Sequence, residues 1–160
     1  MKVITTLGEM IEYISELSRP IGLVPTMGAL HEGHLTLVRQ AIQDNAAVAV
    51  TIFVNPSQFG PHEDYKIYPN DLAKDAKLLA KESVQLLFAP LVLDMYPSGY
   101  DTWVDPGILG SRLEGEFRPN HFRGVATIVT KLINIVRPDR TYFGQKDGQQ
   151  LAVINKMIKD

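Results

Sequence analysis

Two apolar and β-branched runs, residues 21–24 and 46–54, place the tightest limit on what this chain can fold into. A strand with one wet face alternates apolar and polar residues. An unbroken run suits a strand covered on both faces, as in a parallel sheet. Between the runs, Leu35, Val38, Ala41 and Ile42 recur at helical spacing from a start near Gly33. The alternation continues elsewhere. Thr6 and Glu9 stand at capping-box spacing, ahead of the helical set Leu7, Met10, Ile11, Ile14 and Leu17, and Arg19-Pro20 stops that helix. Asn70 or Asp71 caps a helix through about Lys81, with Leu72, Ala76 and Leu79 inward, and residues 85–89 read as a strand. Residues 94–115 are broken by Pro97, Gly99, Pro106, Gly107 and Gly110 and are expected to carry one short strand at 102–104. Val125, Ile128, Val129, Leu132, Ile133 and Val136 make the cleanest helical stripe, ended by Pro138. A short strand at 141–143 and a helix over 149–158 follow. The predicted fold is α/β, a Rossmann-like parallel sheet with helices on both faces.

Composition narrows the function. A chain of 160 residues with 45% hydrophobic and 21% charged residues can bury a real core as one domain, which excludes a disordered chain. Sixteen basic against 18 acidic residues, a net charge of −2, argue against a general nucleic-acid surface. With no cysteine, a disulfide framework, a thiol nucleophile and a Cys-ligated zinc site are excluded, and a reducing compartment suits the chain. No segment approaches the roughly 18 to 20 apolar residues of a membrane span. Residues 1–6 carry one basic residue and no apolar h-region, so no secretory signal is expected and the chain is read as cytoplasmic, with no membrane partner.

Ligands of parallel sheets bind beyond the carboxyl ends of the strands. Three loops at such positions hold the most unusual residues. The first, residues 25–34, leaves a strand and opens a helix, whose N-terminus favours an anion. In it His31 and His34 bracket Gly33 and can donate to a phosphate carrying developing charge. Chelation of a metal by His-x-x-His is the competing reading, and it lacks a third ligand nearby in sequence. The second loop places Asn55 and Gln58 at a strand end, either as ligand-binding amides or as an ordinary polar turn. The third carries Lys146, suited to phosphate, Asp147, able to cap a helix or hold a ribose hydroxyl, and Gln150. Residues 113–124 pack charge and aromatics ahead of the best helix and read as a lid or an interface. His62, Glu63 and Asp64 read as a solvated loop without a role.

Four strings carry a family resemblance: Pro-Thr-Met-Gly-Ala-Leu-His-Glu-Gly-His at 25–34, Phe-Val-Asn-Pro-x-Gln-Phe at 53–59, Arg-Pro-x-His-Phe-x-Gly-Val at 118–125 and Phe-Gly-x-Lys-Asp-x-Gln-Gln-Leu at 143–151. They resemble the pantothenate synthetase (pantoate–β-alanine ligase) family, in its order and over nearly the whole chain. The resemblance implies a His-x-Gly-His nucleotidyltransferase fold. It also implies ATP-dependent condensation of pantoate with β-alanine through pantoyl adenylate, giving AMP and pyrophosphate. Carried over by position, Met27, Gly28, Ala29, Leu30, His31, Glu32, Gly33 and His34 would cradle ATP. His31, His34 and Lys146 would be catalytic, with His34 in the position usually called a proton donor. Gly144, Gln145, Lys146 and Asp147 would form a second ATP segment, with Lys146 on the phosphates and Asp147 near the ribose. Gln58 and Gln150 would hold pantoate, Gln58 near β-alanine as well, and Asn55 would sit by the adenylate. Asp75 falls where a Mg2+-associated carboxylate is expected, and a homodimer is implied.

Two departures bear on activity. The family commonly has Glu where Gln145 stands and an aromatic where Gly148 stands. The family also continues with a Ser-Ser-Arg phosphate loop and a smaller C-terminal domain that closes over ATP. No such string occurs here, so residues 1–160 are expected to be the N-terminal nucleotide-binding domain alone, with little or no turnover by itself. A different His-x-Gly-His nucleotidyltransferase, or a nucleotide-binding or dimerisation module without turnover, remain the alternatives.

Overall fold

The computed structural model describes residues 1–60, 63 and 65–160; the expectation of a solvated loop at His62 and Asp64 lies outside the described residues. Thirteen regular elements follow in chain order among them: β1 (Lys2–Ile4), α1 (Leu7–Ile14), β2 (Ile21–Thr26), α2 (Glu32–Asp44), β3 (Ala47–Ile52), α3 (Leu72–Ala80), β4 (Leu86–Phe88), α4 (Val92–Met95), α5 (Ile108–Ser111), α6 (Glu114–Phe117), α7 (His121–Val136), β5 (Arg140–Thr141) and α8 (Gly148–Lys159). Short 3₁₀ turns stand at Pro56–Gln58 and Tyr65–Ile67.

The five strands are all parallel, in the order β1-β4-β3-β2-β5. Successive residues of β2 and β3 serve opposite faces. Ile21, Leu23, Ala47 and Ala49 pack with Met10 of α1, Val125, Val129 and Leu132 of α7 and Ile154 of α8. Val24, Val48, Val50 and Ile52 pack with Leu35, Val38 and Ala41 of α2 and Leu79 of α3. Double coverage is why these strands read as unbroken apolar runs. From β2 the chain builds outward through β3 and β4, whereas β5 returns to the other side of β2. Ligands sit at such a reversal, beyond the carboxyl ends of the two strands. Here that point lies between the loops following β2 and β5.

Local signals account for most boundaries. Thr6 accepts from the Glu9 N–H, as its spacing predicts, and Asp71 caps α3 through the Lys74 N–H. Helix α7 closes on Arg137 in the left-handed region, with Pro138 following. Four expectations are corrected. Pro25 and Thr26 belong to β2 and pair with Thr51 and Ile52. Residues 102–104 are not a strand; the Val104 N–H is bonded to the Thr127 hydroxyl of α7. Residues 92–117 instead hold three four-residue helices. Residues 2–4, read only for targeting, form an edge strand against β4.

Candidate active site

The turn after β2 is built from inside. Gly28 and Ala29 both have positive φ, 85° and 50°, a left-handed pair that glycine tolerates and alanine adopts at a cost. Asp75 of α3, 2% exposed, holds that pair. Its carboxylate accepts from the Ala29 N–H at 2.9 Å and the Leu30 N–H at 3.0 Å. The Gly28 N–H goes to the Thr26 hydroxyl at 3.2 Å. The family resemblance implies a metal-associated role for Asp75; in the structure both of its carboxylate oxygens accept from backbone N–H groups. Among the described residues no three His, Asp or Glu side chains gather into a metal site. The donor set therefore does not fit a resident cation, and the chelating reading of His31 and His34 loses its third ligand.

The two histidines are fixed by their ring nitrogens. His31 caps α2, its Nδ1 accepting from the Gly33 N–H at 3.1 Å, and His34 Nδ1 accepts from the His31 N–H at 3.4 Å. An accepting Nδ1 on a neutral imidazole puts the proton on Nε2. The ring centroids lie 4.1 Å apart, so the two imidazoles, each with its proton on Nε2, are immediate neighbours. Burial, then the neighbouring His31, hold the His34 pKa below the usual imidazole value, with Lys146 adding to the fall and Asp75 opposing it. His34 is therefore a neutral donor at pH 7. Of the backbone N–H groups along this turn, those of Ala29 and Leu30 are taken by Asp75 and that of Gly33 by His31.

A cleft of about 470 Å³ opens at the strand reversal. It gathers Met27, His31, Gly33 and His34 from the first loop, Asn55 and Gln58 from the second, and Gly144, Gln145, Lys146, Asp147 and Gln150 from the third. Gly28, Ala29 and Leu30 lie beneath it as scaffold. Glu32 points along the outer face of α2 to Arg39 and does not reach it. Asp147 precedes α8 but makes no capping bond, which leaves its carboxylate to the cleft. Its neighbour Gln149 instead ties α8 to the carbonyls of Leu109 and Arg112.

Asn55, 1% exposed, is saturated. Its Nδ2 donates to the Gln58 Oε1 and to the Gly124 carbonyl, both at 3.1 Å. Its Oδ1 accepts from Tyr96 at 2.8 Å and from the Ser57 hydroxyl and N–H. Asn55 thus positions Gln58 rather than reaching for a ligand. Three residues of the segment read as a lid or an interface, Arg118, His121 and Gly124, brace this wall, while its Leu113 and Phe117 stay exposed. His121 bonds the Gln58 carbonyl at 2.8 Å, and Arg118 clasps Glu63 at 2.5 and 2.9 Å and Glu114 at 2.8 Å. Glu63, expected to be idle, is held by that guanidinium at a pKa of about 2.

Sequence reasoning missed the apolar wall. Val125, Ile128, Val129 and Leu132 of α7 line the cleft, as do Leu37, Tyr68, Tyr142 and Phe143. The α7 stripe is visible in the sequence as a core stripe; nothing in a stripe distinguishes a core face from a cleft face.

A family model described as Pantoate-beta-alanine ligase matches residues 2–160. A pantothenate synthetase of Thermotoga petrophila is 54% identical over all of this chain and 58% of its own length. One from Dehalococcoides mccartyi is 57% identical over 91% of this chain and 54% of its own. The pantothenate synthetase structure from Thermus thermophilus superposes with a TM-score of 0.93 at 48% identity, covering the whole of this chain and 58% of that one. A pantoate-beta-alanine ligase from Francisella tularensis, described as complexed with beta-gamma ATP and beta-alanine, gives 0.96 at 41% identity and covers 62% of its own chain. The chain spans between half and two thirds of the length of these relatives.

Proposed function

The chain belongs to the pantoate–β-alanine ligase family, and from that membership we propose that its cleft is the nucleotide and pantoate site of an ATP-dependent ligase. Residues 1–160 are the nucleotide-binding domain of that enzyme. A carboxylate oxygen of pantoate attacks the α-phosphorus of ATP, the bond to the bridging oxygen breaks, and pyrophosphate leaves. The amine of β-alanine then attacks the acyl carbon of the adenylate, loses a proton, and expels AMP. Holding the reactants in line and meeting charge at the α-phosphate are what the protein must supply.

One observation carries this reading: both imidazoles spend Nδ1 on backbone N–H groups, so both offer Nε2–H beside Lys146 in one cleft. These three groups meet the phosphate oxygens. Asp147 accepts from the ribose hydroxyls, and Gln58 and Gln150 hold pantoate against the apolar face of α7. Mg2+ would come as part of the Mg-ATP substrate, held by the phosphates and by waters rather than by a dedicated protein cage. The family resemblance further implies a cytoplasmic homodimer. Phe117, 84% exposed, and Leu113, 71% exposed, offer apolar area to a second copy. No helix among the described residues is long and apolar enough to cross a membrane.

The test is turnover of this chain with Mg-ATP, pantoate and β-alanine, followed as AMP and pantothenate, with His34→Ala as control. Product lost in the control, or ATP and pantoate bound without product, supports the assignment; neither product nor binding of either ligand overturns it for these residues. Binding of a phosphorylated alcohol in preference to pantoate would overturn it in favour of another nucleotidyltransferase.

A further inference from the structure

We propose that Tyr96, Asn55 and Gly124 lock the Gln58 amide with its N–H₂ group toward the cleft, so that this wall accepts an oxygen bearing lone pairs, a carboxylate or hydroxyl, and rejects a donor. The substrate class rests on the proposed function; the lock does not.

The orientation follows from two partners whose roles cannot change. The Ser57 N–H can only donate, and it faces Asn55 Oδ1. The Gly124 carbonyl can only accept, and it faces Asn55 Nδ2. A flipped Asn55 would set donor against donor and acceptor against acceptor in a site 1% exposed, which costs more than any bond it could recover. Tyr96 adds a third donor to Oδ1 at 2.8 Å, and burial keeps its hydroxyl protonated, with its pKa pushed up to about 12.

Both Nδ2 protons of Asn55 are then fixed, one on Gly124 and one on Gln58. Gln58 must offer Oε1 to Asn55, which turns Nε2 the other way. There it meets the thioether of Met27 at 3.0 Å, a poor acceptor that leaves the second proton free. The Gln58 backbone is held at both ends as well. Its N–H donates to the Asn55 carbonyl at 3.4 Å. Its carbonyl meets His121 Nδ1 at 2.8 Å. Arg118 can only donate, so its contact with His121 Nε2 puts the imidazole proton on Nδ1, aimed at Gln58. Gly124 makes the arrangement possible, since a Cβ there would stand 2.5 Å from the Ser57 carbonyl oxygen. Tyr96 and Gly124 are positioning residues; neither lines the cleft.

Nuclear Overhauser spectra of the side-chain amides, with pantoate as the probe, test this. In the free chain, the Gln58 Nε2 protons are expected to show a cross-peak to the Met27 methyl. Added pantoate is expected to shift the Gln58 N–H₂ signal and leave that of Asn55 in place. Asn55→Asp removes the inner donor, so Gln58 turns Nε2 inward, the Met27 cross-peak vanishes and pantoate affinity falls at least tenfold. Gln58→Glu gives a similar loss. Should Asn55→Asp fail to fold, Tyr96→Phe serves, with an expected severalfold weakening of pantoate alone and faster exchange of the Asn55 amide protons. A Gln58 amide with no Met27 cross-peak in the folded wild-type chain, or pantoate affinity unchanged by Gln58→Glu, overturns the proposal. An intact cross-peak without pantoate binding refutes the substrate assignment and leaves the locked donor standing.

Discussion

Replacing Asp75 by asparagine is expected to loosen the turn that carries the site while removing nothing from the cleft itself. The carboxylate accepts two backbone N–H bonds, at 2.9 and 3.0 Å, from residues next to or in the left-handed region. Charge-assisted bonds of this kind contribute about 1.5–3 kcal/mol each. Asparagine retains one acceptor, as a neutral bond worth about 1 kcal/mol, and turns an N–H₂ toward the other amide. Relief from burying a charge offsets part of the loss. The net cost is about 2 kcal/mol, which for a chain of this size lowers Tm by about 4–8 °C. A second readout separates this from general damage. The Asp75 charge raises the His34 pKa, so Asp75→Asn must move the His34 midpoint further down in an NMR titration of the ring protons. An unchanged Tm together with an unmoved or rising His34 midpoint would refute the reasoning.

Three further outcomes are expected. Gly124→Ala drives a methyl into the Ser57 backbone; overpacking of this kind costs about 1–3 kcal/mol, and thermal melts should show it with pantoate affinity falling more than ATP affinity. The depressed His34 pKa means that the unfolded chain binds its proton first as pH falls. This contribution to stability is therefore complete above the unfolded value of about 6.5 and declines as pH drops below it toward the folded pKa, and His34→Gln should remove that part of the slope from denaturant midpoints. Glu63, held by Arg118 at a pKa of about 2 against an ordinary 4.5, contributes stability that is present above 4.5 and lost as pH falls toward 2. The gap in Tm between Glu63→Gln and wild type should thus close on acidification, and a gap constant over that range would contradict the pairing.

The alternation of apolar runs with helical stripes determined the fold class, because both faces of β2 and β3 had to be apolar to be covered. Capping at Thr6 and Asp71 and the stop at Pro138 were legible because they depend on neighbours within a few residues. The three loop strings likewise marked His31, His34, Gln58, Lys146 and Gln150 before any contact was known. What each group does within the site depended on partners far along the chain. Asp75 clamps backbone 45 and 46 residues away. Asn55 is saturated by Tyr96, 41 residues on, and by Gly124, 69 residues on. Glu63 has its guanidinium 55 residues away. Local propensity and spacing carry no information about such pairings. They exist only once the parallel sheet has brought the ends of β2, β3 and β5 to one edge and α7 has packed behind them.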